Sequence, residues 1–253
     1  MHRFFLPPEL IQGPELVLTD SEAVHASRVL RLDRGNVVTV LNGLGSELRC
    51  EISSVGRSEI RLRVLETRTL ERLPSRITLL QALPKGKLIE AITQKATELG
   101  VHRIVPLLSE RVVRHLGPSE ARREAEKLEK IAVESIKQCG CPWLPAIETP
   151  MTPQQFLLRQ ECFDLPLVAS LEEKSRQPGD CFADYVRDHG RLPESICVWI
   201  GPEGDFSPAE LAAIRTGGAQ PMTLGPFVLR TETAAVYSLS VIQHELQCRR
   251  QRP

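Results

Sequence analysis

The chain lacks net charge: 32 Lys and Arg balance 32 Asp and Glu. With no field of one sign, an anionic partner would have to meet a local basic patch. Long apolar runs are missing too, and the longest present fall far short of a bilayer span. The opening segment, MHRFFLPPELIQG, has neither the apolar core nor the small-residue cleavage site of a secretory leader, so a cytoplasmic protein is expected. Cysteines number seven and are scattered, and an odd count excludes a complete disulfide framework. Cys139 and Cys141 form a C-x-C with no second Cys/His pair at zinc spacing, so no metal is expected. Neither G-x-x-x-x-G-K-[ST] nor G-x-G-x-x-G occurs, which removes the P-loop and the dinucleotide fingerprint. There are no internal repeats and no low-complexity tract.

What is present is ordinary for a globular protein: 253 residues, 42% hydrophobic and 25% charged, enough for two modest domains or one large one. The first part reads as short strands. Arg3–Leu6, Asn36–Leu41, Leu48–Ser53 and Ile60–Leu65 are candidates, with one helix over Asp20–Leu32. A polar stretch from Glu66 to Ser75, with Pro74, marks the boundary, giving a small β-barrel-like domain over 1–72 and a second domain over 73–253. Beyond it, apolar strands alternate with helices. Strands fall at Ile77–Ala82, Ile104–Leu108, Leu165–Ala169, Ile196–Ile200 and Pro221–Leu224. Helices are read over Gly86–Leu99, Ser119–Gln138 and Thr231–Gln247. That alternation predicts a parallel α/β sheet covered on both faces. Leu88, Ile92, Ala96 and Leu99 form one helical stripe; Ala235, Leu239, Ile242 and Leu246 form another.

Two strands empty into Gly-Pro turns. ICVWI runs into Gly201-Pro202-Glu203-Gly204, and the strand before Leu224 runs into Gly225-Pro226. In an open α/β sheet ligands sit beyond the carboxyl ends of strands. A phosphate is a poor candidate, because Glu203 would repel it. Two readings stand: tight connections, or two walls of a slot whose backbone groups hold a flat heterocycle. Thr231 or Thr233 is placed to cap the last helix. Arg230 would project from the rim, or be an ordinary surface arginine.

The stretches IGPEGDFSPAEL and LGPFVLRTETAA resemble the two C-terminal motifs of the SPOUT methyltransferases, and more narrowly those of the RsmE-type enzymes. HASRVLRL (25–32), KGKLIEAITQKATELGV (85–101) and SERVV (109–113) resemble other signatures of that family, so the likeness extends over nearly the whole chain. The resemblance implies a C-terminal domain threaded as a trefoil knot, against the general avoidance of knots, and an N-terminal PUA-like barrel. It also implies a homodimer, and S-adenosylmethionine as methyl donor to N3 of a uridine in 16S ribosomal RNA, free or in the small subunit. On this resemblance Ser170, Ile200, Gly201, Pro202, Glu203, Gly204, Leu224, Gly225, Phe227, Leu229 and Thr233 are expected to hold the cofactor. Two departures stand out. Asp205 occupies a position that is usually a second glycine, and the Cys139–Cys141 segment stands where many relatives have Gly-Arg.

Methylating N3 needs alignment and loss of the N3 proton, and a cation would stabilise the anion that develops. Arg230 is the expected cation; Glu232 is the nearest carboxylate, and serves as base or as partner of a helix dipole. His25, Arg28 and Arg31 at three-residue spacing, Lys85 and Lys87 at a helix start, and Arg111 and Arg114 in a basic cluster with His102, Arg103 and His115 are expected to meet RNA, solvated faces being the alternative. A ribose 2′-hydroxyl methyltransferase of the same superfamily, or an RNA-binding protein without catalysis, are the competing functions.

Overall fold

The computed structural model describes residues 2–112, 116–171 and 175–250. The chain forms two compact units. One comprises Met1–Arg72 with Val133–Leu144, the other Leu73–Ala132 with Pro145–Pro253.

The first unit is built on a five-stranded sheet of β1 (Arg3–Phe5), β2 (Glu15–Leu18), β3 (Val37–Leu41), β4 (Ser46–Val55) and β5 (Ile60–Thr69), in the order β1-β3-β4-β5-β2. Alternation in these strands delivers Phe4, Leu16, Leu18, Val38, Val40, Cys50, Ile52, Ile60 and Leu62 to one core. β5 runs past the expected end at Leu65, because Glu66–Thr69 still pair with β4 across a bulge. The polar stretch is therefore half strand: β5 is exposed from Leu65 to Thr69, and alternation carries no apolar signal there. β2 was not anticipated.

The helix expected over Asp20–Leu32 is shorter and irregular. α1 (Asp20–Val24) widens into a π-helical turn, His25–Val29, where Leu30 N–H bonds His25 O at 3.0 Å. Arg31 then has φ 53°, outside any helix. Three-residue spacing therefore does not set His25, Arg28 and Arg31 on one face. The 133–144 segment brings Lys137 Nζ to 2.7 Å from Glu22 Oε1, and Arg3 donates to the carbonyls of Lys137 and Gln138 at a helix C-terminus. Gly140, within the Cys139–Cys141 segment, has φ 81°, the left-handed region that favours glycine; a Cβ there would lie 2.7 Å from Arg3 Nη2, so that flexible side chain would have to yield.

The second unit holds a six-stranded parallel sheet of β6 (Arg76–Ala82), β7 (Arg103–Leu107), β8 (Ala146–Ile147), β9 (Leu165–Ala169), β10 (Ser195–Ile200) and β11 (Gln220–Met222), ordered β11-β9-β10-β6-β7-β8. The connections are α2 (Leu88–Glu98), α3 (Pro118–Cys139), α4 (Pro153–Leu157), α5 (Pro178–His189), α6 (Pro208–Thr216) and α7 (Thr231–Arg250), with residues 133–139 of α3 belonging to the first unit. Ile77, Leu79, Ile196, Val198 and Leu167 pack with α2, α5 and α7; Leu80, Val105, Val168 and Trp199 pack with α4 and α6. Both faces are buried, which is why these strands read as continuous apolar runs. The stripe of α7 lies fully in the core, with Ala235, Leu239, Ile242 and Leu246 each at most 1% exposed.

The starts of β9 and β10 are tied by Asp164. Its Oδ2 accepts from Glu194 N and Ser195 N at 2.8 and 3.1 Å, and its Oδ1 pairs with Arg191 at 3.0 Å. Burial alone would raise this carboxyl; the Arg191 guanidinium and the two backbone donors outweigh it and hold the pKa down to about 2. Among the described residues no helix is long and apolar enough to cross a membrane, and no group of three or more His, Cys, Asp or Glu could hold a metal ion.

Candidate active site

β9, β10 and β11 are neighbours, so the loops leaving their carboxyl ends converge. Between them and α2 lies a cleft of about 630 Å³, a size that suits a drug-sized ligand. The β9 side supplies Ala169, Ser170 and Leu171; the β10 loop supplies Ile200–Glu203 and Asp205; the segment after β11 supplies Thr223–Arg230; Leu88 lies on α2, and Thr231, Glu232 and Ala234 on α7.

The β10 loop is fixed by hydrogen bonds from three sides. Asp205 N–H closes a turn onto Pro202 O at 2.9 Å. Glu203 Oε1 accepts from Lys85 N at 2.9 Å, and Arg111 Nη1 donates to Gly204 O at 2.6 Å. Ser207 and Glu210 form a capping box that starts α6. The nearly buried Glu210 carboxylate also accepts from Ser109 Oγ and Glu110 N, each at 2.9 Å. The serine of the SERVV stretch thus serves this anchor.

Deep in the cleft, Thr231 Oγ1 donates to Gly201 O at 2.7 Å and accepts from Gln81 Nε2 at 3.0 Å. Thr231 therefore ties α7 to the β10 loop instead of capping its own helix. Arg230 and Glu232 stand on the cleft wall either side of it. Among the described residues neither side chain has a hydrogen-bond or ion-pair partner.

Residues 71–243 match the family model described as an RNA methyltransferase domain, and residues 18–65 match that of an RNA methyltransferase PUA domain. The ribosomal RNA small subunit methyltransferase E of Bacillus subtilis is 31% identical over 253 residues, covering 98% of either chain. The chain belongs to the ribosomal RNA small subunit methyltransferase E family. A methyltransferase of Legionella pneumophila, solved with bound S-adenosylmethionine, is 32% identical with a TM-score of 0.84 and 96% coverage of both chains. The small subunit methyltransferase E of Neisseria gonorrhoeae, also solved with S-adenosylmethionine, is 26% identical with a TM-score of 0.84, covering 96% of this chain and 97% of its own.

Of the cofactor residues expected for this methyltransferase, Ser170, Ile200, Gly201, Pro202, Glu203, Leu224, Gly225, Phe227 and Leu229 line the one cleft, as do Arg230 and Glu232. Gly204 and Thr233 do not. The Gly204 carbonyl is drawn onto Arg111, and a Cβ at 204 would face the Arg111 side chain. Thr233 is two residues past Thr231, about 200° around the helix, and is exposed. Of the RNA candidates, His25, Arg28 and Arg31 are exposed on the first unit; Lys85, Lys87 and Arg111 are exposed on the second, with Lys85 and Arg111 bonded to the β10 loop. Arg114 and His115 lie outside the described residues.

The methyltransferase's departure at Asp205 has a local explanation. Its φ is 59°, the left-handed region that glycine enters freely and that Asp tolerates better than most. Its Oδ1 accepts from Phe206 N at 2.7 Å. Gly201 also serves the turn: a Cβ there would lie 2.7 Å from Asp205 Oδ1 and 3.2 Å from Phe206 N. Sequence reasoning missed Gln81, Leu88, Thr223 and Val228. Gln81 carried a usable signal, a lone amide inside the apolar run of β6. So did Glu210, in the S-x-x-E spacing of a capping box.

Proposed function

We propose that this chain transfers a methyl group from S-adenosylmethionine to N3 of a uridine in 16S ribosomal RNA, acting in the cytoplasm. The observation that carries the reading is the cleft at the ends of β9, β10 and β11, walled by both Gly-Pro turns and carrying an unpaired Arg230 at its rim among the described residues. Its walls fit the cofactor: Leu88, Ile200, Leu224 and Leu229 offer apolar surface to an adenine, and strand-end backbone offers donors and acceptors. The donor, once bound, supplies an already activated methyl group, so the protein's work is alignment and charge.

Arg230 is the cation beside the reacting base, stabilising negative charge as the N3 proton leaves. Glu232, which lines the same cleft, is the carboxylate taken here as the acceptor of that proton. His25, Arg28, Arg31, Lys85, Lys87 and Arg111 hold phosphates, which position the RNA while the target base is extruded. A homodimer belongs to this reading. Leu171, Phe227 and Val228 are 64%, 77% and 77% exposed on the cleft's rim, an apolar patch that a partner would cover; sedimentation at micromolar concentration checks it, and an active monomer would refute it.

The deciding experiment incubates the protein and labelled S-adenosylmethionine with small subunits, or free 16S RNA, from cells lacking the gene. Nucleoside analysis should find label in 3-methyluridine. Label in a 2′-O-methylated ribose would favour the ribose-directed reading, and no label with intact RNA binding would favour the non-catalytic one.

A further inference from the structure

Gln81 sits at the end of β6, fully buried, paired in register with Ile200 of β10. Its two amide hydrogens are committed: Nε2 donates to Ala82 O at 2.9 Å and to Thr231 Oγ1 at 3.0 Å. Thr231 passes its own hydrogen to Gly201 O at 2.7 Å. Direction along this chain is fixed. A flipped amide would set Oε1 against the Ala82 carbonyl, acceptor to acceptor, and would compete with Gly201 for the threonine hydrogen. Among the described residues the buried Gln81 Oε1 atom has no hydrogen-bond partner. An apolar residue would avoid that cost, as the neighbouring strand positions do, so an amide here calls for a reason beyond stability.

The reason is in what the relay joins. Gly201 begins one wall of the cleft; Thr231 follows directly on the other wall, one residue after Arg230. We infer that Gln81, which does not itself line the cleft, is a positioning residue: through Thr231 it sets the separation of the two loops that grip S-adenosylmethionine and the direction in which Arg230 leaves the helix start. This rests on the function proposed above. Because the side chain of Gln81 bonds to Ala82 O and Thr231 and does not line the cleft, its removal should loosen the grip without removing any ligand contact.

The test compares Gln81→Leu, Thr231→Val, Thr231→Ser and the double variant Gln81→Leu/Thr231→Val in the full-length protein. Calorimetry gives the dissociation constant for S-adenosylhomocysteine, and steady-state methyl transfer gives KM and kcat. Both single variants should weaken binding by about tenfold, the scale of one well-made buried hydrogen bond. KM for the methyl donor should rise in parallel, with kcat falling less. Thr231→Ser keeps the hydroxyl and should bind like wild type. The double variant should be no worse than the poorer single one, since both break one relay. Folded Gln81→Leu protein that binds as wild type does, or losses that simply add, would overturn the positioning role and leave the proposed function standing. Wild-type protein that binds neither S-adenosylmethionine nor S-adenosylhomocysteine would overturn both. If Gln81→Leu fails to fold, Thr231→Val against Thr231→Ser decides: equal affinities for that pair overturn the relay.

Discussion

The Glu203 carboxylate accepts the backbone N–H of Lys85 at 2.9 Å, across 118 positions of sequence. The loop after β6 and the loop after β10 are thereby held together on one side of the cleft. Glu203→Ala frees both loops and should weaken S-adenosylhomocysteine binding by about three- to tenfold, the worth of one exposed hydrogen bond to a charged acceptor. Glu203→Gln retains an acceptor and should stay within about twofold of wild type. Calorimetry on the two variants checks this; equal affinities for Ala and wild type would remove the bridge from the account.

Asp205 holds φ 59° and bonds the next amide. Asp205→Ala loses that bond and meets the steric penalty of the left-handed region, a combined loss of about 2 kcal/mol. Asp205→Gly loses the same bond and gains freedom in the unfolded chain but escapes the steric penalty, and should lie within about 1 kcal/mol of wild type. Urea unfolding ranks the three proteins, and an alanine variant as stable as wild type would contradict the backbone argument.

Arg230 carries the charge argument. Arg230→Ala should leave cofactor affinity within about twofold and lower single-turnover rate at saturating RNA about a hundredfold or more, the scale of one preorganised donor. Arg230→Lys should recover little, because a point charge does not reproduce the guanidinium fork. If the loss instead appears as weaker, salt-sensitive RNA binding at a normal saturated rate, Arg230 grips phosphate and does not act on the base.

Asp164 predicts an acid limb. Its folded-state pKa, about 2, lies below the ordinary aspartate value of 3.8. A depressed carboxyl contributes stability that is present above the unfolded pKa and lost as pH falls through the folded one, so the loss falls between roughly pH 4 and pH 2. The contribution is at most about 2 kcal/mol, reduced by solvent screening at a partly exposed pair. Asp164→Asn should be less stable than wild type at pH 7 and converge with it near pH 2. Parallel unfolding curves across that window would contradict the assignment.

The parallel sheet was legible because its strands are buried on both faces, and Ile77–Ala82 or Ile196–Ile200 announce themselves as apolar runs. The cleft was legible through its two Gly-Pro turns and the family resemblance they carry. What escaped was whatever depends on pairing across long separations. β2 and β8 are too short to show a period, and β5 beyond Leu65 has no dry face. The purpose of Gly201 could not be read from spacing. A glycine beside a proline suggests room for a ligand, whereas the room is taken by Asp205 four residues on. Thr231 looked like a helix cap because its hydroxyl had no visible alternative; the alternatives, Gly201 O and Gln81, lie 30 and 150 positions away.

β11 has a bearing on how the molecule is made. It pairs with β9, and α7 then packs over the face that β9 and β10 have already formed. During synthesis, then, the central strands must wait for residues 223–230 before the second wall and its arginine exist. A chain released early would carry the Gly201 turn but nothing to face it. Affinity for the methyl donor is therefore acquired only once the segment after β11 has been made and has closed onto the Gly201 turn.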